Sequence, residues 1–425
     1  MTTSKPDPAT EARSERHDPY RAFRYENYRY YVIGWFIATL GTQIQGVAIG
    51  WEMYQRTGEA LSLGLVGLAQ GLPVMLFSIP AGFVADRFSR RYVVMTSLVG
   101  MSITSLALAF LSITQGSISL MYLLLFLDAT AITLGRPART ALVPRLVPLH
   151  VFPNAVTWNM SLMQTASMVG PALGGFILIY NLPATYIISA VSSLLFAAML
   201  TRLDLFKSDH RPEPATFKTV LAGLSFVWEK RIIFTLMALD MFAVLLGGAV
   251  YLLPIFAEDI LQVGPTGFGW LRAAPAIGSF CMALTLAHLP PMQRAGRTLL
   301  LAIGGFGVVT IIFGISTSFW LSLAMLFMTG ALDNISMVVR HTLIQLSTPD
   351  RMRGRVSAVS SIFVSASNEL GGFESGLVAQ WFGPIISVVS GGIGTIIVVL
   401  TAAWASPQLR QIGALDETKA DEEEE

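Results

Sequence analysis

Twelve long apolar runs, separated by short bursts of charge, restrict this chain more than any other feature. They cover residues 30–51, 61–85, 92–114, 118–138, 156–180, 183–201, 232–257, 267–288, 298–316, 318–340, 356–381 and 384–404. Each is long enough to cross a bilayer, because about 20 helical residues span the hydrocarbon core. Inside lipid every backbone polar group must be satisfied within the protein, so only helices and closed barrels qualify. The runs lack two-residue alternation and are too long for barrel strands. The expected fold class is therefore an all-α integral membrane protein with twelve transmembrane helices. Composition agrees: 53% of the residues are hydrophobic and 13% charged, against roughly 25% charged in soluble domains.

The distribution of Lys and Arg sets an orientation. With the N-terminus inside, only Arg56 and Arg272 fall in or near outer segments; all the others lie on the inner side. The positive-inside rule then puts both termini in the cytoplasm. The expected location is the plasma (inner) membrane. The polar first thirty residues have no apolar h-region and no small-residue cleavage site, so no cleaved signal is expected.

Several classes are disfavoured. A net charge of +1 gives no nucleic-acid footprint. The single cysteine, Cys281, forms no internal disulfide, and the five histidines include no pair at helical ligand spacing. No metal is expected. No convergent catalytic set is present, so the chain is read as a non-enzyme with no catalytic residues. A phosphate-binding G-x4-G-K-[ST] loop is also missing, which disfavours ATP-driven transport.

The longest internal polar stretch, around KSDHRPEPATFKTV, separates two sets of six spans. The domain reading is a polar cytoplasmic tail (1–24), a six-helix bundle (25–201), a cytoplasmic linker (202–231), a second six-helix bundle (232–405) and an acidic tail (406–425). The end of the linker, FKTVLAGLSFVWEKR, is expected to form a short amphipathic helix on the inner surface. The two halves repeat. Arg139 and Arg340, Pro148 and Pro349, Gly170 and Gly371, and Gly175 and Gly376 are each 201 positions apart. The stretch DRFSR at 86–90 is echoed by QRAGR at 293–297. Two repeated halves describe a secondary transporter with its site between them near the midplane.

GFVADRFSRR at 82–91 resembles the major facilitator superfamily signature G-x-x-x-D-R-x-G-R-R, with Ser89 where the family usually has Gly. WEMYQRTGEALSLGLVGLAQ, GRPARTALVPRLVP, NAVTWNMSLMQTASMVGPALGG and SNELGGFESGLVAQWFGP resemble its siderophore and drug exporter branch, which includes the enterobactin exporters. The resemblance runs from about residue 25 to 405. It implies the major facilitator fold of two pseudo-symmetric six-helix bundles, with spans 1, 4, 7 and 10 lining a central cavity. It implies that Gly82, Asp86, Arg87, Arg90 and Arg91 form a gating loop, with Asp86 facing the N-terminus of span 11 in an outward-facing state. Arg136, Arg139 and Arg340 are candidate partners of that gate or inner-surface anchors. Gly170-Pro171-Ala172-Leu173-Gly174-Gly175 matches an exporter element; Gly170, Pro171, Gly174 and Gly175, with Gly371 and Gly376, are read as helix-packing positions.

Acids inside spans are costly and mark functional candidates. Asp128 and Glu369 lie near the centres of spans 4 and 11; Asp240 and Asp333 lie in the inner halves of spans 7 and 10. A carboxyl shielded from water can load and release a proton in the working pH range. These four are the proton-coupling candidates, the structural alternative being a pairing with Arg. Gln43, Gln45, Asn159 and Gln164 are cavity-lining candidates, with interhelical hydrogen bonding as the alternative. Glu52, Glu258 and Asp259 are expected to be wetted residues at span ends, and Trp51, Trp158, Trp270 and Trp381 to be mainly interface-belt residues. The leading expectation is a proton-coupled exporter of a small amphipathic molecule, siderophore or drug, working by alternating access. The alternative is symport uptake or lipid flipping. The energy source is the proton gradient and no cofactor is expected. The expected partners are a small-molecule substrate and the bilayer, with the chain acting as a monomer.

Overall fold

The computed structural model describes residues 18–203, 224–290, 292–411 and 413. The first part of the N-terminal tail, most of the linker and most of the acidic tail fall outside the described residues.

Twelve long helices follow one another: α1 (Glu26–Thr57), α2 (Ala60–Arg87), α3 (Arg90–Thr114), α4 (Ile118–Thr140), α5 (Phe152–Tyr180), α6 (Leu182–Leu200), α7 (Arg231–Leu246), α8 (Gly264–His288), α9 (Ala295–Ile315), α10 (Phe319–Leu346), α11 (Asp350–Phe382) and α12 (Pro384–Ala405). They correspond one to one with the twelve apolar runs. Among the described residues eleven spans are long and apolar enough to cross a membrane, the seventh counted with its continuation as Arg231–Ile260. The exception is α11, whose Ser, Gly, Asn368, Glu369 and Glu374 dilute its apolar content. Turn chemistry sets the short connections. Gly58, with φ +65°, ends α1, and Gly383, with φ +91°, separates α11 from α12. Both lie in the left-handed region that suits glycine.

Span 7 departs from a single helix. After α7 ends at Leu246, the chain runs through a 3-10 segment (Gly248–Leu252), a helical turn (Leu253–Ile255) and a π segment (Phe256–Ile260). The break sits at Gly247-Gly248 and packs against other glycines. A Cβ on Gly391 would lie 2.0 Å from the Leu246 carbonyl, and one on Gly371 would lie 2.7 Å from that of Leu245. Of the expected surface helix, residues 224–231 are described; 224–229 are helical and Lys230 separates them from α7.

Helices α1–α6 pack into one bundle and α7–α12 into another; the principal contacts between them are α2 with α11 and α5 with α8. Both described chain ends, and the loops after α2, α4, α8 and α10, lie on one face, called here the termini face. There Ala22 N–H donates to Asn154 Oδ1 (3.0 Å) and Ala295 N–H to the Gly413 carbonyl (3.1 Å).

The buried apolar residues form three groups. One lies in the halves of the helices far from the termini and is shared by both bundles, joining Val47, Trp51 and Leu63 to Leu252, Phe256 and Phe268. The other two lie toward the termini face, one inside each bundle. The bundles are thus fused on the far side and separate toward the termini.

Candidate functional site: the cleft between the bundles

Two glycine crossings close the far side. In the α2–α11 seam a Cβ on Gly376 would lie 2.6 Å from Gly64 Cα, and in the α5–α8 seam a Cβ on Gly175 would lie 2.7 Å from Gly269 Cα. Side chains at these points would hold the backbones apart; small residues allow the close approach that drives helix packing in lipid. Further cross-bundle links lie on the same side. Leu61 N–H donates to Gln380 Oε1 (3.1 Å), Gln164 Nε2 to the Ala276 carbonyl (3.1 Å), and Tyr54 OH to Asp259 Oδ2. Trp51 stacks on Phe268 with ring centroids 5.6 Å apart.

The same helix faces separate toward the termini. Met75 lies one turn beyond Gly71 on α2 and is 47% exposed; Met160 lies one turn before Gln164 on α5 and is 63% exposed. The cleft therefore opens on the termini face.

At its closed end, Glu369 of α11 accepts a hydrogen bond from Tyr251 OH (2.8 Å), and the Arg272 charge on α8 acts on both. Gly71 of α2 admits the Glu369 side chain: a Cβ there would lie 2.4 Å from Glu369 Cβ. Tyr251 and Arg272 did not stand out as site residues in the sequence. Arg272 carried a legible signal, as a lone cation inside the apolar run GFGWLRAAPAIG.

In the C-terminal bundle Arg340 of α10 donates to Asp240 of α7 in a buried ion pair. Asp333, two turns before Arg340 on α10, is exposed to the cleft and forms no hydrogen bond among the described residues. It lines a cavity of 180 Å³ beside the α7 break, together with Tyr251, Pro275, Phe306, Thr310, Thr329 and Asn368. A smaller cavity joins Asp333 to Asp240 and Ser336. Asp240, Asp333 and Arg340 therefore form one group.

Other predicted residues lie elsewhere. Asp128 is buried inside the N-terminal bundle and accepts from Thr104 Oγ1 of α3 (2.6 Å). Gln45 also faces α3, accepting from Ser105 Oγ (2.6 Å). Gln43 packs against Gly170, whose Cβ would lie 2.5 Å from Gln43 Cβ. Asn159 is half-buried on α5, and its Oδ1 makes no hydrogen bond among the described residues. Gly174 faces Ile44 and Val47 of α1, and the Pro171 carbonyl lies at the Gly269 crossing. Gly371 faces the end of α7, the repeat equivalent of Gly170 facing α1.

The gating loop is at the termini face. Arg90 donates to the Ala141 carbonyl (3.1 Å) and Arg91 to the carbonyls of Leu203 (3.0 Å) and Thr201. Both arginines thereby tie α3 to its own bundle. Asp86 and Arg87 are exposed, Asp86 without a hydrogen bond among the described residues, and Gly82 is half-buried one turn earlier. Arg136 is exposed, and the Arg139 guanidinium lies 3.7 Å from the Trp35 ring centroid.

Two expectations for span ends are corrected. Glu52 is 2% exposed, not wetted, and accepts from Tyr186 OH (2.7 Å) while pairing with Arg56 (3.4 Å). Trp51 is 4% exposed because the closed far side covers it. Trp158 packs on the N-terminal segment, its Nε1 donating to the Pro19 carbonyl (2.7 Å). Trp270 and Trp381 are exposed, as belt residues are.

Comparison with known proteins agrees with this architecture. Enterobactin exporters from Escherichia coli O1:K1 and Shigella boydii are each 24% identical to this chain over 379 residues, covering 88% of it and 91% of the relative. Among solved structures, a POT peptide transporter bound to alafosfalin aligns with a TM-score of 0.72 at 12% identity, covering 92% of this chain and 96% of the other. A bacterial homolog of the human lysosomal transporter Spinster, in an inward-facing and unoccupied conformation, aligns at 0.66 and 15% identity, covering 93% and 98%. The model of a major facilitator family described as transmembrane secretion effectors matches residues 17–424. With two six-helix bundles and a cleft between them, the chain belongs to this family of multi-pass membrane transporters.

Proposed function

We propose that the protein is a proton-coupled exporter, moving a small amphipathic molecule of the siderophore or drug-like class out of the cell. The observation that carries this reading is Asp333: an unpaired carboxylate inside a span, open to a cleft that reaches the termini face. By the Lys and Arg bias that face is cytoplasmic, in the inner membrane. Substrate then enters from inside the cell. The names of the enterobactin exporters support the direction of transport.

In this reading a proton and the substrate compete for Asp333. Substrate binds the charged carboxylate from the cytoplasm, and the bundles rock so that the far seams open. A proton from the other side then neutralises Asp333 and releases the substrate. The Asp240–Arg340 pair beside it keeps the neighbouring charges balanced. Asp86 is unlatched in this inward-open arrangement. When the termini face closes it meets the N-terminus of α11, where its charge complements the helix dipole.

Everted membrane vesicles test the proposal with a panel of siderophores and fluorescent amphiphilic dyes. The expected result is uptake that follows an imposed proton gradient and is lost in Asp333→Asn. Transport insensitive to the gradient would overturn the coupling. Movement in the opposite direction would favour uptake.

A further inference from the structure

The polar groups around the 180 Å³ cavity share one property. Thr310 Oγ1 donates to the Phe306 carbonyl (2.8 Å) and Thr329 Oγ1 to the Leu326 carbonyl (2.6 Å). Asn368 Nδ2 donates one hydrogen to the Val364 carbonyl (2.9 Å), which fixes the amide and leaves Oδ1 and the second N–H open. Tyr251 OH donates a hydrogen bond to Glu369 Oε2 (2.8 Å). The three hydroxyls each have their one hydrogen committed inside the protein, and Asn368 keeps one N–H beside its Oδ1. The side-chain groups left for a ligand are therefore mostly lone pairs, together with the acceptor-only carboxylate of Asp333. The rest of the wall is apolar and aromatic, from Pro275, Phe306 and Phe313.

We infer that this cavity is a binding subsite for a protonated amine carried on an apolar arm. An ammonium group supplies hydrogen-bond donors and a positive charge, which this set of acceptors lacks. Arg340, the cation nearest to Asp333 on α10, is bound to Asp240, so one cation serves two carboxylates and the group keeps a net negative charge. The rings of Phe306, Phe313 and Tyr251 suit the arm and attract a cation over their faces. Pockets that enclose whole drug-sized ligands measure about 300–1,000 Å³. This one is smaller, so it takes one arm while the rest of the molecule occupies the cleft. An anionic arm of the same size is rejected, because it meets acceptors and a carboxylate. This inference deepens the export reading by naming a substrate class for the same site.

The test uses the purified full-length protein in detergent micelles, without any gradient. Calorimetry compares 2-phenylethylamine with 3-phenylpropanoate, which differ chiefly in the sign of the charge at the end of the arm. The expected result is at least about a tenfold preference for the amine, equal to about 1.4 kcal/mol. Asp333→Asn is expected to remove that preference, and Thr310→Val to weaken amine binding severalfold with the shape kept. Equal binding of the two probes to the unaltered protein overturns the inference and needs no variant to fold. So does amine binding to a folded Asp333→Asn protein that matches the unaltered one. Amine preference in micelles with no export from vesicles counts against the transport reading alone. Export without amine preference counts against the subsite alone.

Discussion

In the N-terminal bundle Arg139 of α4 lies over the ring of Trp35 on α1. In the C-terminal bundle its repeat equivalent, Arg340 of α10, binds the carboxylate of Asp240 on α7. The same position in the repeat thus holds a cation against a different partner. A ring attracts a cation without titrating, so the N-terminal contact keeps its charge at any working pH. A carboxylate can change its charge, and a second one, Asp333, stands beside it. The acid on each fourth helix differs too. Asp128 is enclosed by a hydrogen bond from Thr104, whereas Asp333 is open to the cleft. The halves share their closing surfaces and differ in their titratable ones: the repeat supplies matched glycine crossings, and the C-terminal bundle alone opens a carboxylate of its fourth helix to the cleft.

The symmetric part is most exposed to disruption at the glycine crossings. Gly175→Leu and Gly376→Leu should each reduce transport in proteoliposomes by about 100-fold or more, since either side chain would keep the far side from closing; that factor corresponds to about 2.7 kcal/mol. Loss in only one of the two would break the symmetry argument. The asymmetric part is tested by the arginines. Arg340→Gln leaves a buried Asp240 unpaired, and thermal unfolding should report a loss of about 3–5 kcal/mol. Arg139→Gln removes a cation–ring contact and should cost about 1 kcal/mol. Equal losses would contradict the comparison. Combining Asp240→Asn with Arg340→Gln should recover much of the stability, because no unpaired carboxylate is then left at the pair.

A smaller effect is expected at Glu52, which joins α1 to Tyr186 of α6 and to Arg56. Glu52→Gln should lower stability by about 1–3 kcal/mol, the cost of an unsatisfied buried group, and leave the transport KM unchanged. The smallest stability effect is expected at Asp86. It is exposed and unbonded here, so Asp86→Asn should shift unfolding by no more than about 0.5 kcal/mol. Its transport rate should still fall, because the contact it loses belongs to the other conformation. A rate equal to that of the unaltered protein would leave the loop as a topology anchor only.

The helices were legible because burial in lipid imposes length and apolarity on each run. The repeat was legible too: the 201-residue spacing picked out Gly175 and Gly376, which both sit at cross-bundle seams. Rotational phase was harder to read. Asp128 and Gln45 were candidates for the cavity, yet both face α3, because the partner a helix face meets is decided by tertiary packing and not by its own sequence. Conformation was harder still. Trp51 and Glu52 sit at a span end, where water is the ordinary expectation, and are buried because the far side is closed over them. Arg272 drew attention as a charge near an outer surface; its role with Tyr251 and Glu369 depends on the break in α7, which brings Tyr251 inward.

The polar character of α11 has a consequence for how the protein is made. A span crowded with Ser, Gly, Asn368, Glu369 and Glu374 gains little by entering lipid alone. Its partners are α2 across the cleft and α7 in its own bundle, both synthesised earlier. Insertion of α11 is therefore expected to be favoured by the surface those helices already offer. On this reasoning the second bundle is expected to complete itself against a face supplied by the first.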